Sequence, residues 1–173
     1  MLKQLTTTKP VILLIIFIAA MFFAGQADAQ TKVSGKMTVA YVGMDSILVG
    51  DIAGHNMTLG ESKGTNSCTS GNDFLEGAEV VNISYSDLAM GSGPHQGYVT
   101  LKKGDDMAVA KWQGQVTTTM TAEGVHNTAF MGTYEYVKGA GQFSNMAGKG
   151  TYKGQFTSKT EYTVDWEGEY TLK

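Results

Sequence analysis

The chain of 173 residues is mildly acidic, with 16 acidic residues against 13 basic ones and a formal net charge of −3 at pH 7. Without a basic patch, it is not expected to bind nucleic acid or an anionic membrane surface. All of its basic residues are lysines. Because arginine supplies the usual two-pronged clamp for phosphate and carboxylate, its absence argues against a phosphorylated ligand.

The first 29 residues have the pattern of a secretory signal peptide. Lys3 and Lys9 form a short basic region, residues 11–24 are almost entirely apolar, and residues 27–29 read Ala-Asp-Ala, a small-x-small cleavage site. Cleavage there leaves residues 30–173 as one exported domain, secreted or periplasmic and free of the membrane. The alternative is a retained membrane anchor, which the apolar run disfavours because it is shorter than the ~20 residues of a comfortable span.

Beyond the signal peptide, short segments alternate apolar and polar residues between turn residues, and none has a convincing helical pattern. In one of them Val81, Ile83 and Tyr85 supply the apolar parity, and near the C-terminus Tyr162 and Trp166 do so. Nine such segments, of which the one near Met57 is short, predict about eight strands; they begin near Met37, Ile47, Met57, Val81, Val99, Ala108, Thr128, Thr151 and Tyr162.

Residues 60–76 lack this alternation and are predicted to form one long polar loop, which is either a lid or a loop without a functional role. The single cysteine, Cys68, lies within it, so no intramolecular disulfide is expected in the exported protein. A reactive thiol needs a nearby base or a lowered pKa. The neighbouring residues supply neither, and no functional role is predicted for Cys68.

Two features favour a closed barrel over a sandwich. Gly114, Gly132 and Gly168 lie inside strands, where glycine is expected only at bends or close backbone approaches. The last strand, 162–172, is long and amphipathic, and closure would spare it an exposed edge. An outer-membrane barrel is disfavoured because several strands are short and lysines interrupt the apolar band. The predicted fold class is all-β, a single closed antiparallel β-barrel of about eight strands.

One turn near the C-terminus resembles a known signature. The run Tyr136-Val137-Lys138-Gly139-Ala140-Gly141-Gln142-Phe143, followed by Gly148-Lys149-Gly150, is similar to that of the allene oxide cyclase barrel-like superfamily of calycin type. This group includes plant allene oxide cyclases, dirigent proteins and many secreted bacterial proteins. The resemblance covers the last third of the chain. It implies an eight-stranded antiparallel barrel with a central apolar cavity, often assembled as a homotrimer.

The resemblance carries over the fold and the turn residues Gly139, Gly141 and Phe143, but no catalytic residue. Dirigent pockets depend partly on arginine, and this chain has none. The glycine-rich turn is also not expected to bind phosphate, because it joins strand to strand and offers no helix N-terminus.

The aromatic residues of the strands are the candidates for a cavity wall. By parity they point inward, where they either pack as core or surround a small ligand. Buried tyrosine hydroxyls need partners, which a ligand or water would supply. The residues in question are Trp112, Phe130, Tyr134, Tyr136, Tyr162, Trp166 and Tyr170.

Two histidines are candidates for a polar rim around the cavity. In a meander, His95 and His126 both begin strands at the same mouth, about 10 Å apart across one strand. That separation is too wide for a shared metal, and no cysteine or carboxylate completes a zinc spacing. No metal or other cofactor is predicted, nor a Ser-His-Asp or paired-carboxylate site. The alternative is that both are ordinary exposed loop histidines.

Three functions remain open from the sequence. The first is an exported, non-enzymatic barrel that binds a small apolar or aromatic molecule in its cavity. The second is a cyclase or isomerase that steers a reactive intermediate by cavity shape, favoured if a titratable group such as His95 or His126 points into the cavity. The third is a structural or interaction module with a solid interior.

Overall fold

The structure, a computed structural model, describes residues 30–71, 73–124 and 126–173. The predicted signal peptide lies outside these residues. The described part contains eight strands and one short 3₁₀ turn. The strands are β1 (Thr31–Leu48), β2 (His55–Ser70), β3 (Glu79–Ala89), β4 (Gly93–Lys103), β5 (Asp106–Met120), β6 (His126–Ala140), β7 (Met146–Phe156) and β8 (Glu161–Leu172).

The eight strands form one closed antiparallel barrel in sequence order, as predicted. Closure occurs between β1 and β8, which pair from Thr31 opposite Tyr170 to Ala40 opposite Glu161. The alternation of the sequence produces the two faces, because successive side chains of a strand point to opposite sides of the sheet. In the described residues, no helix is long and apolar enough to span a membrane.

The predicted loop over residues 60–76 is wrong, because most of it belongs to strand β2, which runs to Ser70. Only residues 71–78 connect β2 to β3. The positions of β2 that face the barrel interior are small or polar, among them Ser62 and Asn66, which are both buried. The strand therefore has no hydropathy alternation, although it has one in side-chain size. Cys68 lies on this strand, and its thiol donates to the Ser70 carbonyl at 3.0 Å.

The segment between β2 and β3 closes one end of the barrel. Phe74 is 2 % exposed, and its ring contacts those of Phe143, Tyr170 and Trp166 at centroid distances of 4.9, 5.3 and 5.9 Å. The buried Asn66 side chain holds this segment. Its amide donates to the Leu75 carbonyl at 3.0 Å, and its oxygen accepts from the Trp166 indole at 3.0 Å. We name this packed region the closed end.

The glycine-rich turn joins strand to strand, as predicted, through the 3₁₀ turn Gly141–Phe143. Gly141 has φ +63°, a conformation that favours glycine, and its backbone packs against the Asp106 carboxylate. That carboxylate accepts from the Gln142 main-chain N–H at 2.8 Å and from its side-chain amide at 2.7 Å. The turn thereby directs Phe143 into the closed end, where Phe143 is buried.

The outer wall over β5–β8 and β1 carries a row of charged side chains. Five residues on successive strands stand directly opposite one another and alternate in sign, a pairing that stabilises antiparallel strands. They are Lys111, Glu135, Lys149, Glu169 and Lys32. This wall is the solvated face that the polar parity of the sequence predicts.

Candidate functional site

A cavity of about 610 Å³ occupies the barrel interior from the level of Trp166 to the turns at the far end. At that far end it reaches Gly91 in the β3–β4 turn, Asn127 at the start of β6 and Ser158 in the β7–β8 turn. We name this region the open end. A volume of this size lies within the range of small-molecule pockets, so the barrel is not packed solid.

The cavity exists because aromatic rings lie against glycines of neighbouring strands instead of crossing the lumen. A Cβ atom at Gly97 would lie 2.6 Å from the Trp112 ring, and one at Gly35 would lie 2.5 Å from the Trp166 ring. The Phe130 ring lies in the same way against Gly154. The glycines inside strands are thus close-approach positions, as predicted for Gly114, Gly132 and Gly168. They hold large rings flat on the wall and leave the centre of the barrel open.

Six of the seven predicted aromatics line this cavity, and all seven belong to the core or pack against it. The exception is Tyr170, which lies at the closed end against Phe74 and Phe143. The lining six are Trp112, Phe130, Tyr134, Tyr136, Tyr162 and Trp166. The predicted inward parity of these aromatics is therefore confirmed.

A chain of hydrogen bonds satisfies the polar groups of one side of the cavity. The Trp112 indole donates to the Asn82 amide oxygen at 2.9 Å, and the Asn82 amide nitrogen donates to the Tyr162 hydroxyl at 3.1 Å. The Tyr162 hydroxyl in turn donates to the Ser62 hydroxyl at 2.9 Å. Burial raises the pKa of Tyr162 more than these hydrogen bonds lower it, so the hydroxyl stays protonated. Side chains of neighbouring strands, rather than a ligand, therefore satisfy the hydrogen bonding of the Tyr162 hydroxyl.

Tyr134 differs from Tyr162, because its hydroxyl has no hydrogen-bond partner among the described residues. Its hydroxyl lies against Gly150 and Gly168, and a Cβ atom at Gly150 would lie 2.5 Å from it. The hydroxyl is buried and makes no hydrogen bond of acceptable geometry to Tyr136 or to any other described group. Burial raises the pKa of Tyr134. Its ring meets the Tyr136 ring edge-on at 5.3 Å. This orphaned hydroxyl faces the wall, so it is a cost of the packing and not a group that a ligand can reach.

His95 and Tyr152 form a second polar feature inside the cavity. They flank Gly114 and Gly132 in one row across four strands, β4 to β7. The Tyr152 ring crosses the two glycines, and its hydroxyl lies 3.0 Å from His95 Nε2. Burial lowers the pKa of His95 to about 4 and raises the pKa of Tyr152. Both groups are therefore neutral at pH 7.

The two predicted rim histidines do not share a rim. His95 is level with Gly132 of β6, whereas His126 lies six residues away along that strand, a distance of about 20 Å. The expectation of about 10 Å at one mouth is wrong, because the β5–β6 hairpin extends beyond the β3–β4 turn. His95 points into the cavity among aromatic rings, and His126 is an exposed residue that borders the cavity at the open end.

A third histidine, missed by the sequence argument, organises the open end. His55 bridges two carboxylates, with Nδ1 2.6 Å from Asp51 and Nε2 2.6 Å from Asp87. These contacts tie the β1–β2 turn to the end of β3. The hydrogen bonds to Asp87 and Asp51 raise the pKa of His55, and the bond from His55 lowers the pKa of Asp51. In the sequence, only the presence of Asp51 and Asp87 in or near turns pointed to this bridge, and that signal is weak.

Asn82 and Tyr152 were also missed as cavity residues, and for Asn82 the reason lies in the strand that carries it. The apolar parity assigned to β3 was the wrong one. Val80 and Asn82 face inward, whereas Ile83 faces solvent and is 43 % exposed. In the described part of the chain, no group of three His, Cys, Asp or Glu side chains is arranged so that it could hold a metal ion.

Fold and site together define an all-β class, a single closed eight-stranded antiparallel barrel with an apolar cavity open at one end. No protein-family model matches this sequence, and comparison with curated proteins finds no match. The resemblance to the allene oxide cyclase barrel-like superfamily therefore rests on the β6–β7 turn and on the shared barrel architecture.

Proposed function

We propose that this protein binds a small apolar or aromatic molecule in the barrel cavity. One observation carries the proposal: large aromatic rings lie flat on a glycine wall, so that a barrel able to fill itself instead encloses about 610 Å³. Of the charged side chains in the described residues, only Lys159 lines the cavity, and it belongs to the exposed β7–β8 turn. The interior therefore suits a ligand without charge.

The energetics favour binding of such a ligand. Each Å² of apolar surface removed from water contributes about 25 cal/mol, so a two-ring aromatic burying roughly 200 Å² gains about 5 kcal/mol before the costs of association. Those costs are reduced here because the wall aromatics are already held in place by packing and, for Trp112 and Tyr162, by hydrogen bonds. A ligand would not need to order them.

The biological setting is part of the proposal. The signal-peptide pattern of residues 1–29 supports export to the periplasm or the medium. The β6–β7 turn supports membership of the allene oxide cyclase barrel-like superfamily. Assembly as a homo-oligomer, a trimer by that resemblance, belongs to the same proposal.

A cyclase or isomerase is the second candidate, and the observation that favours it is a titratable group, His95, inside the cavity. Its lowered pKa of about 4 makes it a weak base at neutral pH. It can hold or polarise a substrate through a hydrogen bond, but it removes a proton poorly. This magnitude favours binding over proton-transfer catalysis.

The proposal is tested by closing the cavity in one variant and enlarging the outer wall in a matched one. Val99 lines the cavity from β4, and Val81 is a half-buried valine on the outer face of β3. N-phenyl-1-naphthylamine, a neutral fluorophore, serves as the probe. We expect Val99→Trp to weaken its binding by about tenfold or more, since one tryptophan occupies much of the lumen, and Val81→Trp to leave it unchanged. Equal affinity in the wild type and Val99→Trp would rule out the cavity as the binding site.

A further inference from the structure

We propose that His95 and Tyr152 form a subsite that binds one neutral hydroxyl or carbonyl group on an otherwise apolar, ring-bearing ligand. The inference rests on the proposed function and specifies the ligand class. It comes from the placement of the two side chains and from the hydrogen-bonding capacity that their mutual contact leaves unused.

The row of residues that contains the pair is built to bring the two polar groups together. Gly114 and Gly132 are directly opposite each other between the strands that carry His95 and Tyr152. A Cβ atom at Gly114 would lie 2.5 Å from the Tyr152 hydroxyl, and one at Gly132 would lie 2.6 Å from it. The absence of side chains at both positions lets the tyrosine cross two strands and reach His95.

Counting hydrogens shows what the pair still offers. A neutral imidazole and a phenol carry two polar hydrogens, and their mutual hydrogen bond uses one of them. If Tyr152 donates to Nε2, the Nδ1 hydrogen of His95 is free. If Nε2 carries the hydrogen, the Tyr152 hydroxyl hydrogen is free. In both tautomers one donor and at least one acceptor remain, and neither side chain makes a further hydrogen bond to a described residue.

The surroundings restrict the ligand group to a neutral one. The His95 ring lies 4.8 Å from the Trp112 ring and 5.6 Å from the Phe130 ring, both edge-on. No charged side chain of the described chain lines the cavity at this level. With a pKa of about 4, His95 is protonated in about one molecule in a thousand at pH 7. A carboxylate would therefore meet no counter-charge, whereas a hydroxyl or carbonyl would meet a donor.

The same rings determine the shape of the rest of the ligand. The Tyr152 ring contacts the Trp112 ring edge-on at 5.8 Å and the Phe130 ring at a tilt at 6.4 Å, and the three rings form an apolar slot beside the polar pair. A flat ring entering this slot would leave its substituent at His95. Leaving that substituent unpaired in such surroundings is costly, so the pair discriminates between ligands that carry the group and ligands that lack it.

The test compares two probes of nearly equal shape, 2-naphthol and 2-methylnaphthalene, by the ratio of their dissociation constants. We expect the preference for 2-naphthol to fall by about tenfold or more in the double variant His95→Leu/Tyr152→Phe, because its hydroxyl loses both partners. Tyr152→Phe alone, the milder change, is expected to reduce the preference by about threefold or more. Tyr170→Phe removes a hydroxyl at the closed end and should leave the ratio unchanged.

The outcomes separate the subsite from the cavity. If both probes bind and no variant changes the ratio, the subsite is wrong and the proposed cavity stands. If neither probe binds the wild-type protein, both proposals fail. A third probe, 2-naphthoate, tests the charge: we expect it to bind at least about tenfold more weakly than 2-naphthol at pH 7, since its carboxylate would be buried without a cation. Equal or tighter binding of 2-naphthoate would overturn the assignment to neutral groups.

Discussion

The two ends of this barrel are built from the same eight strands and yet have opposite interiors. At the closed end, Phe74 is inserted among aromatic rings and is 2 % exposed. At the open end, the Phe130 and Phe156 rings pack edge-on against each other at 6.0 Å, and both border the empty cavity. The strand pattern is therefore not what decides whether the barrel is filled.

The difference comes from the connections and the glycines. The β2–β3 connection is folded inward and fixed by the buried Asn66. The turns at the other end only border the cavity, and the position beside the Phe130 ring is a glycine, Gly154. One buried loop residue, Phe74, thus fills one end of the barrel, whereas glycines beside the aromatic rings leave the rest of the interior open.

The largest effect is expected from Phe74→Ala. Removing a fully packed ring should lower the free energy of unfolding by about 3–5 kcal/mol, because the surrounding rings can only partly collapse. Phe156→Ala is the matched change at the open end, where the ring is half-buried and already borders empty space. We expect it to cost about half as much or less. Urea denaturation measures both values, and equal costs would mean that the two ends are packed alike.

A second comparison uses the two Asn–Trp pairs. Asn66 is 2 % exposed and receives the Trp166 indole, whereas Asn82 borders the cavity and receives the Trp112 indole. Asn66→Leu should destabilise the fold by about 2–4 kcal/mol, since the indole and a loop carbonyl lose their partners without access to water.

Asn82→Leu should cost only about 1 kcal/mol, because water in the cavity can replace the amide. Chemical denaturation of the two variants side by side checks the ordering. A larger loss of unfolding free energy for Asn82→Leu would show that the hydrogen bonds beside the cavity, rather than those at the closed end, stabilise the fold more.

The smallest effect is a local response to pH at the open end. The pKa of His55 is raised, so its contribution is fully present below the unfolded pKa of about 6.5 and is lost as pH rises through the higher folded value. A neutral imidazole can donate to only one of Asp51 and Asp87. The pKa of Asp51 is lowered, so its contribution is lost only in acid.

We therefore expect amide exchange at Ile52 and His55 to quicken more steeply as pH rises above about 6.5 than the base-catalysed rate alone requires. The closed-end amide of Gly77, which donates to the Asn66 carbonyl at 2.9 Å, is the internal reference. His55→Gln should abolish the excess at the open end. An NMR titration that places the His55 pKa below about 6.5 would contradict the stabilising role of the bridge from His55 to Asp51 and Asp87.

The sequence predicted the barrel because its aromatic strands have a clear parity. Trp112, Tyr134 and Trp166 each alternate with polar neighbours, and each lies on the inner face as expected. The lysines and glutamates of the opposite parity form the solvated wall. Where one face is dry and the other is wet, period-2 hydropathy is sufficient.

The same rule failed on β2 and β3 for physical reasons. The inward positions of β2 include Ser62 and Asn66, which are selected to bond tyrosine, tryptophan and the loop rather than to be apolar. On β3 the inward residue is Asn82 and the outward one is the exposed Ile83, so hydropathy pointed to the wrong face. Where polar residues of a site face the barrel interior, their strands lose the apolar-polar alternation by which strands are recognised in the sequence.

The partnership of His95 with Tyr152 was unpredictable for a different reason. The two residues are 57 positions apart, and they meet only because the register aligns Gly114 and Gly132 between them. Register depends on how far each hairpin extends, and hydropathy does not measure that length. The error over the two histidines at one mouth has the same origin.

Methyl NMR of the wild-type protein titrated with 2-naphthol shows directly whether the cavity is the ligand site. Val80, Val99 and Val116 line the cavity, whereas Val49, Val81 and Val109 do not. We predict that the methyl signals of the first three shift with a common saturable dissociation constant and that those of the second three stay in place. Shifts confined to the second group, or none at all, would contradict the account.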